Sequence, residues 1–214
     1  MSGLRHPSEE VLLSRAAGRL GKRLALVVDA HLGACPDCRR RTAQWEAVGG
    51  ALLEGLPPAT LAPDALDRAL ARIERPDRSP PVAVDDSLTS GIDLSAALQG
   101  LRLGPRRRLA PGVWMRSVLD DQGGRGRAYL LGSGPGRRLL RHSHAGAEFT
   151  CVLAGGFTDE TGSYGPGDFA EADPALTHTP RADPGGECVC LIASEGPMRM
   201  RGLIGRLLQP LFGV

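Results

Sequence analysis

All five histidines of this 214-residue chain fall into two registers of metal-binding residue types. One joins His6 to His31, Cys35 and Cys38, the last three spaced H-x3-C-x2-C. The other runs Gly136-x5-His142-x-His144-x3-Glu148-x6-Gly155 and is completed downstream by His178. Two imidazoles with two thiolates suit a tetrahedral structural ion, zinc above all. Three imidazoles with a carboxylate suit zinc, iron, manganese or nickel, which ligand type alone does not separate. A C-x2-C pair can also be a redox couple, but no βαβ pattern surrounds this one and His31 stands beside it. Metal binding at two places is the first expectation.

A tetrahedral site needs several segments brought to one point. Ser8, followed by Glu9, Glu10 and the apolar Val11, Leu12 and Leu13, predicts an N-capped helix running to Leu20 and stopping at Gly21. A second helix from Lys22 to Leu32, ended by Gly33, places His31 in its last turn. Pro36 suits the first turn of a third helix through Trp45, Val48 and Leu52 to Gly55. Cys35 and Cys38 then sit three apart at its start, on one face. His31 and, from the amino-terminal segment, His6 complete the set. Pro63-Asp64 opens a fourth helix on which Leu66, Leu70 and Ile73 recur as a narrow apolar stripe. The other three helices form a body with little core, so this stripe competes between folding back and docking on a partner.

The composition changes after residue 75. Pro76 to Ser87 is polar and proline-rich, a tether that predicts separable domains. From about residue 93 short β-type runs alternate with glycine and proline: Gly112–Leu119, Ala128–Leu131, Glu148–Leu153 and Cys188–Ile192. Frequent turns between short strands predict a β-sandwich or barrel. His142 and His144 lie two apart on one face, about 7 Å along a strand, with Gly146 allowing a bend before Glu148. Cys188 and Cys190 also share a strand face and offer a secondary redox route, although a disulfide between them would be at the limit of its reach. Met198 to Val214 alternates arginines with Leu203, Ile204, Leu207 and Leu208, the pattern of an amphipathic surface helix packed on the barrel.

At these residues the chain resembles known arrangements. Gly136 to Gly155 matches the first cupin motif, and Gly167-Asp168, Pro174 and His178 resemble the second, with a shortened Pro174-to-His178 interval. The first 50 or so residues resemble the zinc-binding anti-sigma domain through His31, Cys35 and Cys38. The combination resembles ChrR-type anti-sigma factors over nearly the whole chain. That resemblance implies an α + β protein of two domains, a small zinc-binding helical bundle followed by a β-sandwich or barrel of the cupin type. The expected division is a helical anti-sigma domain over 1–75, a linker over 76–92, a cupin-like metal-binding domain over 93–195 and an amphipathic tail over 196–214. It further implies that His6 joins the zinc ligands, and that His142, His144, Glu148 and His178 hold a second divalent metal, taken to be zinc. The implied function is inhibition of a group IV (extracytoplasmic-function-type) sigma factor through the amino-terminal domain. The cupin domain would serve the response to singlet oxygen or related oxidative stress. The stripe of Leu66, Leu70 and Ile73 then favours partner contact.

Composition limits the alternatives. A formal charge of +2, with basic residues spread along the chain, argues against direct nucleic-acid binding. No apolar run approaches the roughly 20 residues of a membrane span, and no signal-peptide core follows Met1; the expectation is a cytoplasmic protein. The C-x2-C clamp suits a reducing compartment. A metal-dependent cupin dioxygenase or isomerase with an appended zinc module is the competing reading. It would need a substrate pocket with convergent polar groups, for which Glu171 and Tyr164 are the candidates. The expectation is that the chain is not an enzyme.

Overall fold

The computed structural model describes residues 4–74, 101–119 and 126–200. Four helices come first: α1 (Glu9–Ala16), α2 (Lys22–Ala34), α3 (Pro36–Glu54) and α4 (Ala65–Ile73). Ser8 caps α1, its Oγ accepting from the Val11 N–H, with Glu9 and Glu10 in the positively polarised first turn. The helix stops at Ala16, short of the expected Leu20, as the Arg19 N–H closes a turn onto the Ser14 carbonyl. Helix α3 opens with Cys35 as its cap and Pro36 at the first position, where a missing N–H costs nothing. The Glu9 carboxylate ties α1 to α3 by accepting from the Arg41 guanidinium and from the Trp45 indole N–H.

Among the described residues twelve short strands follow: β1 (Arg102–Leu103), β2 (Arg107–Ala110), β3 (Val113–Leu119), β4 (Arg127–Ser133), β5 (His142–His144), β6 (Glu148–Ala154), β7 (Phe157–Asp159), β8 (Gly162–Tyr164), β9 (Phe169–Ala172), β10 (Arg181–Ala182), β11 (Cys188–Ser194) and β12 (Met198–Met200). The larger sheet has the order β1-β3-β4-β11-β6-β9, with β2 also on β3; β10-β7-β8 and β12-β5 form two smaller sheets. All pairings are antiparallel. This is the β-sandwich of the cupin type that the motifs imply. The tail expected as a helix from Met198 begins instead as β12, because Met198 and Met200 pair with His144 and His142. The rest of that tail and the proline-rich tether lie outside the described residues.

Alternation along β11 divides the core. Val189, Leu191 and Ala193 join one apolar cluster, Cys188, Cys190 and Ile192 another. Phe149, Cys151 and Leu153 of β6 belong with the first and Val152 with the second. The second cluster fills the sandwich. The first lies on the outer face of the sheet and is continuous with Leu24, Val27 and Val28 of α2, which packs on β6, β11 and β4. The helical and β domains therefore share one core, where the tether alone suggested separable modules. An antiparallel sheet with one wet face shows apolar-polar alternation; β6 and β11 are buried on both faces because α2 covers them.

Gly155, which ends the first cupin motif, has φ +65°, and a Cβ there would lie 2.3 Å from the Glu187 carbonyl oxygen. Gly136, which begins it, has φ +67° and open space around it. Gly136→Ala should therefore cost only the left-handed backbone penalty, about 1–2 kcal/mol. Gly155→Ala should add an overpacking cost of about 1–3 kcal/mol, since the obstacle is main chain. Chemical denaturation of the two variants measures the difference; equal losses would show that the strand passing Gly155 yields.

Candidate metal centres

The first cluster forms where three segment ends meet. Cys35 caps α3 and Cys38 lies in its first turn, with the Cys38 N–H donating to Cys35 Sγ at 3.4 Å. His31 comes from the last turn of α2 and His6 from the extended segment before α1. His31 Nε2 is 3.3 Å from Cys38 Sγ, and His6 Nδ1 is 3.3 Å from Cys38 Sγ and 3.4 Å from Cys35 Sγ. One donor atom from each of the four residues lies within 4.8 Å of the others. Ligands around a tetrahedral zinc are about 3.3–3.8 Å apart, given Zn–S near 2.3 Å and Zn–N near 2.0–2.1 Å. The donor set and its spacing fit that ion.

Electrostatics favours a cation there. Burial pushes the Cys38 thiol up to about 12, and Cys35 beside it adds to the effect. Two adjacent thiolates thus need a compensating positive charge, which a bound divalent metal supplies. Burial also lowers His31, keeping it neutral. The His31 Nδ1–H donates to the Gly167 carbonyl at 2.8 Å, so the lone pair of Nε2 points at the thiols. That carbonyl belongs to the β domain.

The second cluster sits inside the sandwich. His142 and His144 project from the same face of β5, Glu148 begins β6, and His178 meets His142 through a pair of mutual backbone hydrogen bonds. His142 Nε2 is 3.1 Å and His144 Nε2 3.2 Å from His178 Nε2, and His144 Nδ1 is 3.2 Å from Glu148 Oε2. All four residues are buried, with one donor atom of each within 4.8 Å of the rest. The outer nitrogens of two rings are engaged: His142 Nδ1–H donates to the Leu140 carbonyl at 2.7 Å and His178 Nδ1–H to Asp159 Oδ2 at 2.8 Å. With both rings neutral, their Nε2 atoms confront each other as two lone pairs. A cation resolves that repulsion, and the outer partners fix the ring orientations as around metal-ligating histidines.

Burial drives the ring pKa values down to about 4 for His142 and about 3 for His144, so both are neutral and able to ligate. Burial likewise raises the Glu148 carboxyl to about 8, against a lowering by the Tyr129 hydroxyl. A divalent ion reverses that balance and stabilises the carboxylate. Asp159 is buried, which alone would raise it, yet hydrogen bonds from His178 and Thr161 hold it below the usual range. The sequence reading missed Asp159 and Tyr129; an acidic residue in a β-turn and an aromatic on a strand carry no signal until His178 and Glu148 lie beside them.

A cavity of about 70 Å3 adjoins this cluster, walled by His142, Glu148 and His178 and by apolar side chains such as Leu131, Phe157 and Ile192. Of the two polar candidates for a catalytic pocket, Glu171 lines this cavity and Tyr164 does not, and both side chains make other contacts. Glu171 accepts from the Ser8 N–H and hydroxyl, and Tyr164 stacks on Phe157 beneath the Arg5 guanidinium. Cys188 and Cys190 also line the cavity, with their Sγ atoms 3.6 Å apart. A register shift between Val189 and Cys190 interrupts the pairing of β11 with β6 there. Cys151 faces the other way, into the core shared with α2. On α4, Leu66, Leu70 and Ile73 all point into solvent among the described residues.

Known proteins share this architecture. Residues 105–198 match the family model of the ChrR Cupin-like domain. The chain is 36% identical over 209 residues to the Anti-sigma-E factor ChrR of Cereibacter sphaeroides, covering 98% of each protein. A crystal structure of Rhodobacter sphaeroides SigE in complex with the anti-sigma ChrR matches with a TM-score of 0.71 and 36% identity, over 89% of this chain and 98% of that one. Identity sustained at this level from end to end, on a fold that brings both donor clusters together, shows that this chain belongs to the family of ChrR-type anti-sigma factors.

Proposed function

We propose that this protein binds a group IV sigma factor through its helical domain and keeps it from RNA polymerase. In this reading His6, His31, Cys35 and Cys38 hold a structural zinc. His142, His144, Glu148 and His178 hold a second divalent metal, zinc in the first instance, and the cupin domain converts singlet oxygen or related oxidative stress into release of the sigma factor. The proposal places the protein in the cytoplasm, with a sigma factor as partner and neither nucleic acid nor membrane bound directly. No helix among the described residues is long and apolar enough to cross a membrane.

The observation that carries the partner is the uncovered apolar surface of the helical domain. Leu52 and Leu53 on α3 are 70% and 69% exposed, and Leu66 and Ile73 on α4 are 69% and 79% exposed. Isolated exposed leucines are ordinary, but an apolar stripe along a short helix, with further exposed leucines at the end of α3, supports a protein-binding role for these helices. The related ChrR was crystallised in complex with SigE. A catalytic role would require acid-base groups converging on the cavity, and its lining beyond the metal cluster is predominantly apolar.

A bound metal at the second cluster would supply positive charge and coordinate oxygen-containing species. The chain's own contribution is to hold three imidazoles and one carboxylate in place and to limit solvent with the apolar cavity wall. Imidazole and thiol are both oxidisable side chains, and Cys188 with Cys190 gives a secondary route.

Replacing Leu66 and Leu70 together by aspartate should weaken binding to a sigma factor encoded nearby by at least about 100-fold, since buried anchors in an interface are worth roughly 2–4 kcal/mol each. Both positions are exposed, so helicity and metal content should be unchanged; wild-type affinity in biolayer interferometry would remove α4 from the interface. Cys35→Ala or Cys38→Ala should lose one metal equivalent and sigma binding together, because structural zinc supplies on the order of 10 kcal/mol of folding free energy. A Cys35→Ala, Cys38→Ala double variant that keeps its full zinc complement by elemental analysis would eliminate the assignment. His178→Ala should lose the other equivalent, retain sigma inhibition and respond weakly to singlet oxygen in a reporter strain. Cys188→Ser with Cys190→Ser should respond nearly normally; the opposite pair of results would make the cupin a thiol sensor.

A further inference from the structure

The two histidines of the first cluster are both positioned by the cupin domain. The segment before α1 runs along β9, the edge strand of the larger sheet. The Phe169 N–H donates to the Arg5 carbonyl at 3.0 Å, and the Arg5 N–H donates to Asp168 Oδ1 at 2.7 Å. Two residues beyond His6, the Ser8 N–H donates to Glu171 Oε1 at 2.6 Å. His6 is thus held between two anchors that belong to the other domain, although its own ring is exposed. His31 is held by the Gly167 carbonyl at 2.8 Å, and its ring meets that of Phe169 edge-on at 5.7 Å. Cys35 and Cys38, by contrast, are presented by the start of α3 itself.

One carboxylate joins these supports. Asp168 Oδ2 accepts from the Gly165 N–H at 2.7 Å while its own N–H donates to the Gly165 carbonyl at 3.0 Å, closing the tight turn between β8 and β9. That turn aims the Gly167 carbonyl at His31. The other oxygen, Oδ1, holds the strand that carries His6. Asp168 therefore fixes both imidazoles without touching either. The same segment continues toward the second cluster: β9 pairs with β6 in the register Glu148 to Ala172, and β8 pairs with β7, whose last residue, Asp159, orients His178.

We propose that Asp168 is a positioning residue for the amino-terminal metal site, so that the cupin domain sets how tightly that site holds its ion. The proposal rests on the reading of His6, His31, Cys35 and Cys38 as a zinc site. Outer partners of metal-bound histidines are worth about 10–100-fold in affinity when removed. A segment that both domains contribute to one site also transmits in both directions, because coupling free energy is reciprocal.

The test uses the full chain loaded with zinc and a chromogenic chelator that reads zinc release with time. Asp168→Ala should release the amino-terminal equivalent about 10–100-fold faster, with the cupin equivalent retained and sigma binding weakened in proportion. Asp168→Asn, which keeps an acceptor for the Arg5 N–H, should fall between. Arg5→Pro removes the same hydrogen bond from the other side while leaving every cupin residue in place, and should also speed release if Asp168→Ala proves too unstable to purify. Wild-type release rates in Arg5→Pro and in a folded Asp168 variant would overturn the positioning role. The control is Cys35→Ala: if that variant loses no zinc, the site assignment falls and the proposal with it, whereas loss in the control with unchanged release in the other variants removes the positioning role alone.

Discussion

Buried donor atoms that face one another with their protons directed elsewhere are the constraint on which this structure depends. At His142 and His178 the outer nitrogens donate to the Leu140 carbonyl and the Asp159 carboxylate, leaving two lone pairs 3.1 Å apart. At His31 the outer nitrogen donates to the Gly167 carbonyl, leaving Nε2 against a thiol. An unpaired buried polar group is costly, so each arrangement is stable only if something positive occupies the space between the donors. The surrounding main chain is arranged to keep those protons pointing outward, and strand and helix ends are placed accordingly.

Helix α2 connects the two centres. One of its ends carries His31, and its apolar residues cover the outer face of β6 and β11, strands that also wall the second cluster. A helix that did only one of these things could be exchanged for a surface loop or a solvated face. Because it does both, the helical domain is seated on the cupin through an apolar core, and the edge strand β9 is capped by the segment that carries His6. An exposed edge is an invitation to pairing with other chains; here it holds the segment that carries His6.

The helical domain consequently has two unlike sides. Toward the cupin, Leu24, Val27 and Val28 are buried. Away from it, α3 and α4 leave leucines and Ile73 in solvent among the described residues. A surface of that kind is stable in solution only because it is narrow, and a partner that covers it gains the burial of each side chain, roughly 1.5–3 kcal/mol. An ion held by the cluster at the root of α3 would fix the direction of the helix that presents this surface, and so bear on binding without contact with the partner.

Spacing made both donor sets legible in the amino-acid sequence. H-x3-C-x2-C puts two thiols at a helix start and an imidazole at a helix end, and H-x-H on a strand puts two rings on one face, because helix and strand periods are local properties of the backbone. The helices and the four longest strands could be read for the same reason, and so could the exposed stripe on α4. Only the tertiary structure decided what lies beyond local reach. It brought Asp159 to His178, turned Met198–Met200 into a strand by pairing it with β5, and set the Gly167 carbonyl against His31 and Asp168 against Arg5, 136 and 163 residues earlier in the chain. Gly167 and Asp168 stand in the second cupin motif, but nothing in that motif points from them to His31 or Arg5, and Asp159 has no distinguishing spacing of its own. Their roles arise from long-range packing, of α2 on the sheet and of strand against strand, which joins segments without regard to sequence separation and so leaves no periodic trace in the chain.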